Sequence, residues 1–443
     1  MAKKRLLLVL PSHFGRDGEL ITVKKASLNL NLSLVTVAGL TPSEYFDIEI
    51  MNDYVHPVDT STPADLVAIS TLTTTAERAY ELADGFRAHG VTVVLGGYHV
   101  WAFPDEAAAH ADSICIGEAE MVWPEAVDDF LRGALKPKYV ADGPASLAGQ
   151  PVPRYDLINK QDYKIEVYPV ESSRGCPLNC DYCAVTAYHG GRHRLKPVAD
   201  VVRNIKSTGS RFIAFTDDNI IAQRDYAREL FKALIPLDIR WMCQSTMYMA
   251  DDAELIDLAV RAGLRFSWMG IESINPAALA EVHRRINQVE EFERRIEEFN
   301  RRGVLVGANI IFGFDQDVPE SFDATYEFLV RNKVFPFLYI LTPVPGTKLF
   351  QRMEAEGRLL HRKWSRYTGY ETVFKPKNLT PEQLDDLYFE TLARLFTLRH
   401  NFNRSLSKIR LRNLKEDFFV QLGAFVVGSQ VGYAARHRIP DYW

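Results

Sequence analysis

Cysteine is scarce in this chain, with five residues in 443. An odd and sparse set excludes the paired-disulfide framework of a small secreted scaffold and fits a reducing, cytoplasmic setting. Long apolar runs are missing as well, and no segment approaches the roughly 20 uninterrupted apolar residues of a membrane-spanning helix. The apolar run that follows Lys3, Lys4 and Arg5 stops at Pro11, which is short for a secretory leader, so a first strand is expected there. Basic charge is not in excess either. Lys and Arg number 52 against 57 Asp and Glu, a net charge of −5, which gives no support for a general nucleic-acid binder. There is no internal repeat and no low-complexity tract. What remains is an ordinary globular composition, 47% hydrophobic and 25% charged, on a chain long enough for two or three cored domains.

Three of the five cysteines fall together, in Glu171-Ser-Ser-Arg-Gly-Cys-Pro-Leu-Asn-Cys-Asp-Tyr-Cys183. Cys176, Cys180 and Cys183 are separated by three and then two residues, so their thiolates converge from one loop on one inorganic centre. An iron–sulfur cubane normally takes four thiolates, and three with no fourth nearby leave one iron open for a small molecule. A zinc site is the competing reading, because His189 and His193 follow closely. Cys115 and Cys243 stand alone in apolar or aromatic surroundings and are expected to be small buried residues.

Short β-branched runs at residues 5–10, 46–51, 65–70, 91–95 and 113–116 alternate with helical patterns at 76–89 and near 104–110. That alternation predicts a doubly wound α/β domain, whose ligands bind outside the carboxyl ends of its strands. Residues 131–163 are rich in Pro and Gly and read as an extended connection. Six further strands are expected at 167–172, 211–215, 240–243, 266–270, 306–312 and 337–341, with amphipathic helices at 225–234, 252–262 and 289–302 between them. Six βα units suggest a partial barrel with its active face at the loops after the strands. Those loops hold Thr216, Asp217 and Asp218, then Gln244 and Ser245, then Glu272 and Ser273, then Gly313. Trp241, Trp268 and Met269 read as core. Arg192 and Arg194, just past the cysteine loop, have the chemistry to hold a substrate carboxylate or phosphate. Near the end, Thr380-Pro381 begins a capped helix. Residues 404–415 are basic and 418–435 largely apolar, with a helix packed on the barrel as the expectation and membrane contact unlooked for.

The cysteine loop and the strand ends behind it, from residue 165 to about 375, resemble the radical S-adenosylmethionine (radical SAM) enzymes. The resemblance implies a [4Fe-4S] cluster on Cys176, Cys180 and Cys183, with SAM chelating the open iron. It further implies an electron that cleaves SAM to methionine and a 5′-deoxyadenosyl radical. Thr216, Asp217 and Asp218 would lie by the methionine amino group, and Gln244 and Ser245 by its carboxylate. Glu272 and Ser273 would meet the ribose, and Gly313 and Tyr182 the adenine. Residues 1–133 resemble the cobalamin-binding domains found ahead of such cores. There Ser70 and Leu72, in Ser70-Thr71-Leu72, and Gly96-Gly97 would line the slot for the nucleotide tail. The family's lower-ligand motif, Asp-x-His-x-x-Gly, is broken here: His13 keeps its place, but Pro11 and Arg16 replace the Asp and the Gly.

Together the resemblances imply domains at 1–133 (cobalamin-binding type), 165–375 (partial barrel) and 376–443 (helical), joined by a linker at 134–164. The chemistry implied is cobalamin-dependent C-methylation of a small molecule, with a hydrophobic or polycyclic one favoured by the aromatic content. Non-methylating cobalamin chemistry such as ring contraction, cyclisation or oxidation is one alternative. A radical SAM enzyme that has lost cobalamin is a second, and a non-enzymatic iron–sulfur or zinc regulator a third. A reductant such as flavodoxin or ferredoxin would be the protein partner, with no role for nucleic acid.

Overall fold

A computed structural model of the chain describes residues 2–28, 31–282, 287–406 and 431. It divides into two compact units: Met1–Arg174 with Arg194–Thr216 and Lys363–Arg366, and Gly175–His193 with Asp217–Arg362 and Tyr367–Trp443.

The first unit is built on a six-stranded sheet of β1 (Lys4–Leu10), β2 (Phe46–Asn52), β3 (Leu66–Ser70), β4 (Thr92–Gly96), β5 (Ser113–Ile116) and β6 (Lys138–Val140). The spatial order is β2-β1-β3-β4-β5-β6, and every pairing is parallel. Leu6, Leu7, Leu8 and Val9 have no exposed surface, so β1 is a central strand buried on both faces, which explains its continuous apolar run. Leu6 and Leu8 pack with Leu34, Ala38, Trp123 and Val127 from helices on one face. On the other, helix Ala76–Ala88 buries Ala79, Leu82, Ala83 and Phe86. Each such side chain removed from water contributes about 1.5–3 kcal/mol. The order reverses between β1 and β3, which fixes the ligand crevice at the ends of those two strands. The connecting stretch contributes β6 to this sheet, and at its end Tyr163–Ile165 pairs in parallel with Ala26–Leu28 in a separate two-stranded sheet.

The first unit also holds the parallel pair β7 (Tyr168–Val170) and β8 (Phe212–Phe215). After β7, Ser173–Arg174 pairs antiparallel with Arg194–Leu195 and closes the base of the cysteine-bearing segment.

In the second unit β9 (Arg240–Ser245), β10 (Leu264–Glu272), β11 (Leu305–Phe312) and β12 (Phe335–Ile340) are successive parallel neighbours. Helices Ala253–Arg261, Phe292–Arg301 and Pro319–Asn332 connect them. Trp241 meets Phe231 of helix Arg224–Leu234 at 5.2 Å, and Phe312 stacks on Phe322 of Pro319–Asn332 at 4.2 Å. These contacts mark the helix-covered face, where Cys243, Ser267 and Met269 are fully buried. Trp241 and Met269 are core as expected; Trp268 faces the other way and is half-buried. Thr380 and Gln383 exchange the two hydrogen bonds of a capping box, with Pro381 at the first turn of Pro381–Leu395. Residues 407–430 and 432–443, and with them most of the basic and apolar tail, lie outside the described residues.

Candidate functional site

The cysteine loop is fixed by its backbone. Gly175 has φ +87°, and a Cβ there would sit 2.0 Å from the carbonyl oxygen of Arg192, so only glycine fits where the loop begins. Its N–H donates to Asp218 Oδ2 at 2.8 Å. Thr186 Oγ1 donates to the Leu178 carbonyl at 2.9 Å, and Leu349 N–H to the Asp181 carbonyl at 3.0 Å. Cys183 starts the short helix Ala184–His189, and Cys176 and Cys180 are buried beside it in the chain. Burial pushes the Cys183 thiol up, with Cys180 and Asp218 adding to the effect and the N–H groups of Thr186 and Val185 opposing it. Holding Cys183 as a thiolate therefore calls for compensating positive charge, which metal ligation supplies. Among the described residues no group of three His, Cys, Asp or Glu side chains is set to hold a single metal ion. Three thiolates from one loop are the donors an iron–sulfur cubane uses, with one iron left open. The donor set fits a cluster.

The chain enters this loop from a buried ion network in the first unit. Arg174 pairs with Glu118 at 3.1 Å, Glu120 at 2.8 Å and Glu171 at 2.7 Å. Lys196 reaches Glu171 at 3.1 Å, and Arg194 grips Glu118 with both terminal nitrogens. Burial alone would raise the Glu171 carboxyl, but Arg174 and Lys196 hold it below its usual range. Arg194 is thus a structural cation with its guanidinium on Glu118 and the Ala145 carbonyl, which corrects its expected role at a substrate. Arg192 is exposed.

The residues expected around SAM separate on inspection. Thr216, in the first unit, uses its N–H on the Val170 carbonyl at 2.9 Å. Asp217 is fully buried, and its charge adds to the burial that pushes the Cys243 thiol up to about 12. Asp218 is the anchor of Gly175. Gln244 and Ser245 end β9 rather than follow it, and strand alternation sends them to opposite faces. Gln244 is exposed on the open face, while Ser245 is buried at 2.9 Å from Ser267 on the helix-covered one, a correction to its expected contact.

Glu272 is buried and adopts φ +66°, at a bulge where β10 shifts register against β11. A left-handed non-glycine residue costs about 1–3 kcal/mol and persists where its surroundings over-determine it. Asn287 supplies that support, donating from Nδ2 to the carbonyls of Gly270 at 2.9 Å and Ile271 at 2.7 Å. Ser273 accepts locally from Asn275 N–H at 3.0 Å. Gly313, at φ +102°, and Phe314 both donate N–H to Asp317 Oδ2, at 2.8 and 3.0 Å. Asp317 is buried, which pushes its carboxyl up to about 6 with Glu281 adding to the rise and the two N–H donors opposing it. Tyr182 comes edge-on to Phe314 at 6.5 Å, so the cysteine loop and the Gly313 turn do meet. Sequence reasoning missed Asn287 and Asp317. The Asp four residues after a turn glycine was the available signal for Asp317; Asn287 had none.

At the crevice of the first unit, Asp53 is fully buried and organises the loop after β1. It accepts from Ser12 N–H at 3.0 Å and from Val58 N–H at 2.7 Å, and Arg78 binds it through two nitrogens at 3.0 Å each. His13 follows, with Nδ1 3.0 Å from the Tyr54 hydroxyl, a phenol where the family motif has a carboxylate. Gly97 has φ +104°, and a Cβ there would lie 2.6 Å from the Thr71 carbonyl oxygen, so the protein's own backbone demands this glycine. Gly96 differs: an added Cβ would make only ordinary contacts, at 3.7 Å from Cys115, so its smallness is not required by the protein. Ser70 is half-buried at 3.5 Å from Ser33 Oγ, and Leu72 is 52% exposed. Small and open residues at the switch point of a doubly wound sheet fit a bulky nucleotide-tailed ligand such as cobalamin.

Comparison with known proteins agrees with this geometry. The model of the Radical SAM superfamily matches residues 170–329. Bacteriochlorophyllide d C-12(1)-methyltransferase of Chlorobaculum tepidum is 31% identical over 396 residues, covering 86% of this chain and 85% of that protein. The C-8(2)-methyltransferase of the same organism is 29% identical, covering 89% and 93%. Among solved structures, the radical S-adenosylmethionine methyltransferase TsrM of Kitasatospora setae, with cobalamin and a [4Fe-4S] cluster bound, shares the fold. Its TM-score is 0.65 at 14% identity, over 97% of this chain and 100% of that one.

Proposed function

This chain belongs to the cobalamin-binding-domain family of radical SAM enzymes, and on that premise we propose that it methylates an unactivated carbon of a large, flat, mostly apolar small molecule of the bacteriochlorophyllide kind. The supporting observation is the likeness, along most of both chains, to enzymes that methylate bacteriochlorophyllide d. No helix among the described residues is long and apolar enough to cross a membrane. A small soluble reductant of the flavodoxin or ferredoxin type is the partner this reading calls for.

When bound, the cluster with SAM supplies hydrogen abstraction and cobalamin supplies a transferable methyl group. The chain's own residues hold and orient these groups. Cys176, Cys180 and Cys183 provide the three thiolates. Glu272, locked by its bulge and Asn287, presents a carboxylate suited to a pair of ribose hydroxyls. The Gly313 turn, pinned by Asp317, offers backbone to a flat base, with Tyr182 at its edge. Asp217, Asp218 and Gln244 remain candidates for the methionine end. Ser70, Leu72, Gly96 and Gly97 line the crevice that would take the cobalamin tail, with His13 beside it.

The test is anaerobic reconstitution with iron, sulfide and cobalamin, then reaction with methyl-deuterated SAM, a chemical reductant and bacteriochlorophyllide d. The expected products are a deuteromethylated pigment, S-adenosylhomocysteine and 5′-deoxyadenosine. Release of 5′-deoxyadenosine from SAM with an altered but unmethylated pigment would replace methyl transfer by another radical outcome.

A further inference from the structure

The four strands of the second unit carry an aromatic wall on the face away from the helices. Phe266 and Trp268 on β10 meet edge-on at 4.6 Å, and Phe337 on β12 lies 6.2 Å from each. Between them, β11 passes with Gly307, opposite Trp268 in register. A Cβ on Gly307 would come within 2.6 Å of Phe266 and 3.0 Å of Phe337, so the rings lie directly on bare backbone. Two residues further along β12, Tyr339 stacks with Tyr370 at 5.8 Å and 25°.

These rings are not sealed core. Phe266, Trp268, Phe337, Tyr339 and Tyr370 all keep part of their surface accessible, whereas residues of opposite parity, such as Ser267 and Met269, keep none. Burial nonetheless pushes the Tyr339 phenol up to about 12, with the charge of Glu272 adding to it, and raises Tyr370 well above its usual value. Side chains that are deep yet partly accessible are the lining a ligand-sized recess would have, and the rise from Glu272 puts Tyr339 beside the residue suited to ribose. One polar group interrupts the wall. Asn309, opposite Gly270 and Phe337, has a buried Oδ1 with no hydrogen-bond partner, an arrangement that costs about 1–3 kcal/mol until a donor arrives.

We propose that this wall is the substrate seat, taking a planar aromatic macrocycle against Phe266, Trp268 and Phe337, with Asn309 accepting one hydrogen bond from it. This rests on the methyltransferase reading and names the part of the site that selects its substrate. Aromatic faces favour edge-to-face and offset contact with a flat π system, which a puckered saturated polycycle cannot offer. Trp268, Phe337 and Asn309 are specificity-determining residues.

The experiment uses the full chain with its cluster reconstituted and free-base protoporphyrin IX as probe, followed by the shift of the main porphyrin absorbance band. Trp268→Ala should weaken binding about tenfold, the scale of one lost aromatic contact, while Trp268→Phe restores most of it. Asn309→Leu should weaken the binding of haematoporphyrin IX, whose hydroxyethyl O–H groups can donate to Oδ1, about fivefold, the loss of one buried hydrogen bond. Iron content and SAM affinity should not move. If Trp268→Ala does not fold, Phe337→Leu, which keeps volume and removes the π face, carries the same expectation. Parent-like affinity in the folded variants overturns the seat, as does a parent that ignores protoporphyrin IX but binds a saturated polycycle such as hopene. Porphyrin binding that falls in the variants while bacteriochlorophyllide d is never methylated leaves the seat standing and removes the methyl-transfer reading. Methylation with unchanged KM in Trp268→Ala does the reverse.

Discussion

The two ligand-facing edges of this molecule are made differently. In the second unit the backbone itself is bent into shape. Glu272 is left-handed in a strand, Asn287 holds two carbonyls of its bulge, and Asp317 ties down the turn at Gly313. In the first unit the unusual backbone at Gly97 answers to Thr71, and His13 leans on Tyr54, so most of the crevice is explained by the fold itself. Of Gly96 and Gly97, Gly96 is the one whose neighbours leave room for a Cβ. The contrast matches the work each edge would do. Radical generation needs atoms fixed within a fraction of an ångström, and that calls for stored strain and supporting contacts. A long cofactor tail needs mainly room.

The largest expected effect tests the second unit. Cys180→Ala should abolish cluster loading, read as iron and sulfide content, while the far-ultraviolet circular dichroism of the first unit's sheet persists. Full iron in that variant would remove the assignment on which the comparison stands. Next comes the ion network at the loop's base. Arg194→Ala leaves Glu118 to Arg174 and the Ala145 N–H, with the buried network one cation short, and should cost about 3–5 kcal/mol in chemical unfolding, whereas Arg192→Ala, at an exposed site, should stay within about 0.5 kcal/mol. Equal losses would show that the pairing with Glu118 does not set Arg194 apart from Arg192.

Asp317 gives a pH signature. Its folded value, up to about 6, lies above the roughly 3.9 of an unfolded aspartate, so the fold binds the extra proton and stability falls as pH rises from about 4 to 6. At about 1.36 kcal/mol per unit the loss is at most about 3 kcal/mol, and Asp317→Asn should flatten that slope in urea midpoints taken across the window. An unchanged slope would show that Asp317 is not its source.

The two glycines of the first unit sharpen the contrast directly. Gly97→Ala should destabilise the cofactor-free protein by about 1–3 kcal/mol, while Gly96→Ala leaves it within about 0.5 kcal/mol yet retains less cobalamin after gel filtration. Loss of stability in both would make Gly96 a packing residue. Last comes Glu272→Gly. Relieving the left-handed strain should raise the unfolding midpoint by the equivalent of about 1 kcal/mol while SAM binding, measured by calorimetry, weakens more than iron loading. Unchanged SAM affinity would end the ribose role.

Much of this architecture is legible in the residues. Apolar runs locate the strands of both units to within a few residues, and the cysteine spacing marks the loop proposed to hold the cluster. What escapes depends on register. Ser245 looks like an open-face residue because β9 runs two residues longer than its apolar run, and one residue of register decides the face. Arg194 looks available because its partner Glu118 lies 76 positions away. Trp268 reads as core on hydrophobicity alone, which cannot tell the covered face of a sheet from the open one. Glu272's backbone and Asn287's support are properties of a bulge, and a bulge leaves no composition signal in nine strand residues.

The network around Arg174 has a further consequence. Three carboxylates, Glu118, Glu120 and Glu171, face three cations, Arg174, Arg194 and Lys196, so the cluster as a whole is electrically neutral. Buried pairs are poorly screened by mobile ions. Raising ionic strength will therefore loosen the exposed pairs elsewhere on the surface and leave the entrance to the cysteine loop as firm as before. A neutral anchor also adds no net charge where the chain enters that loop.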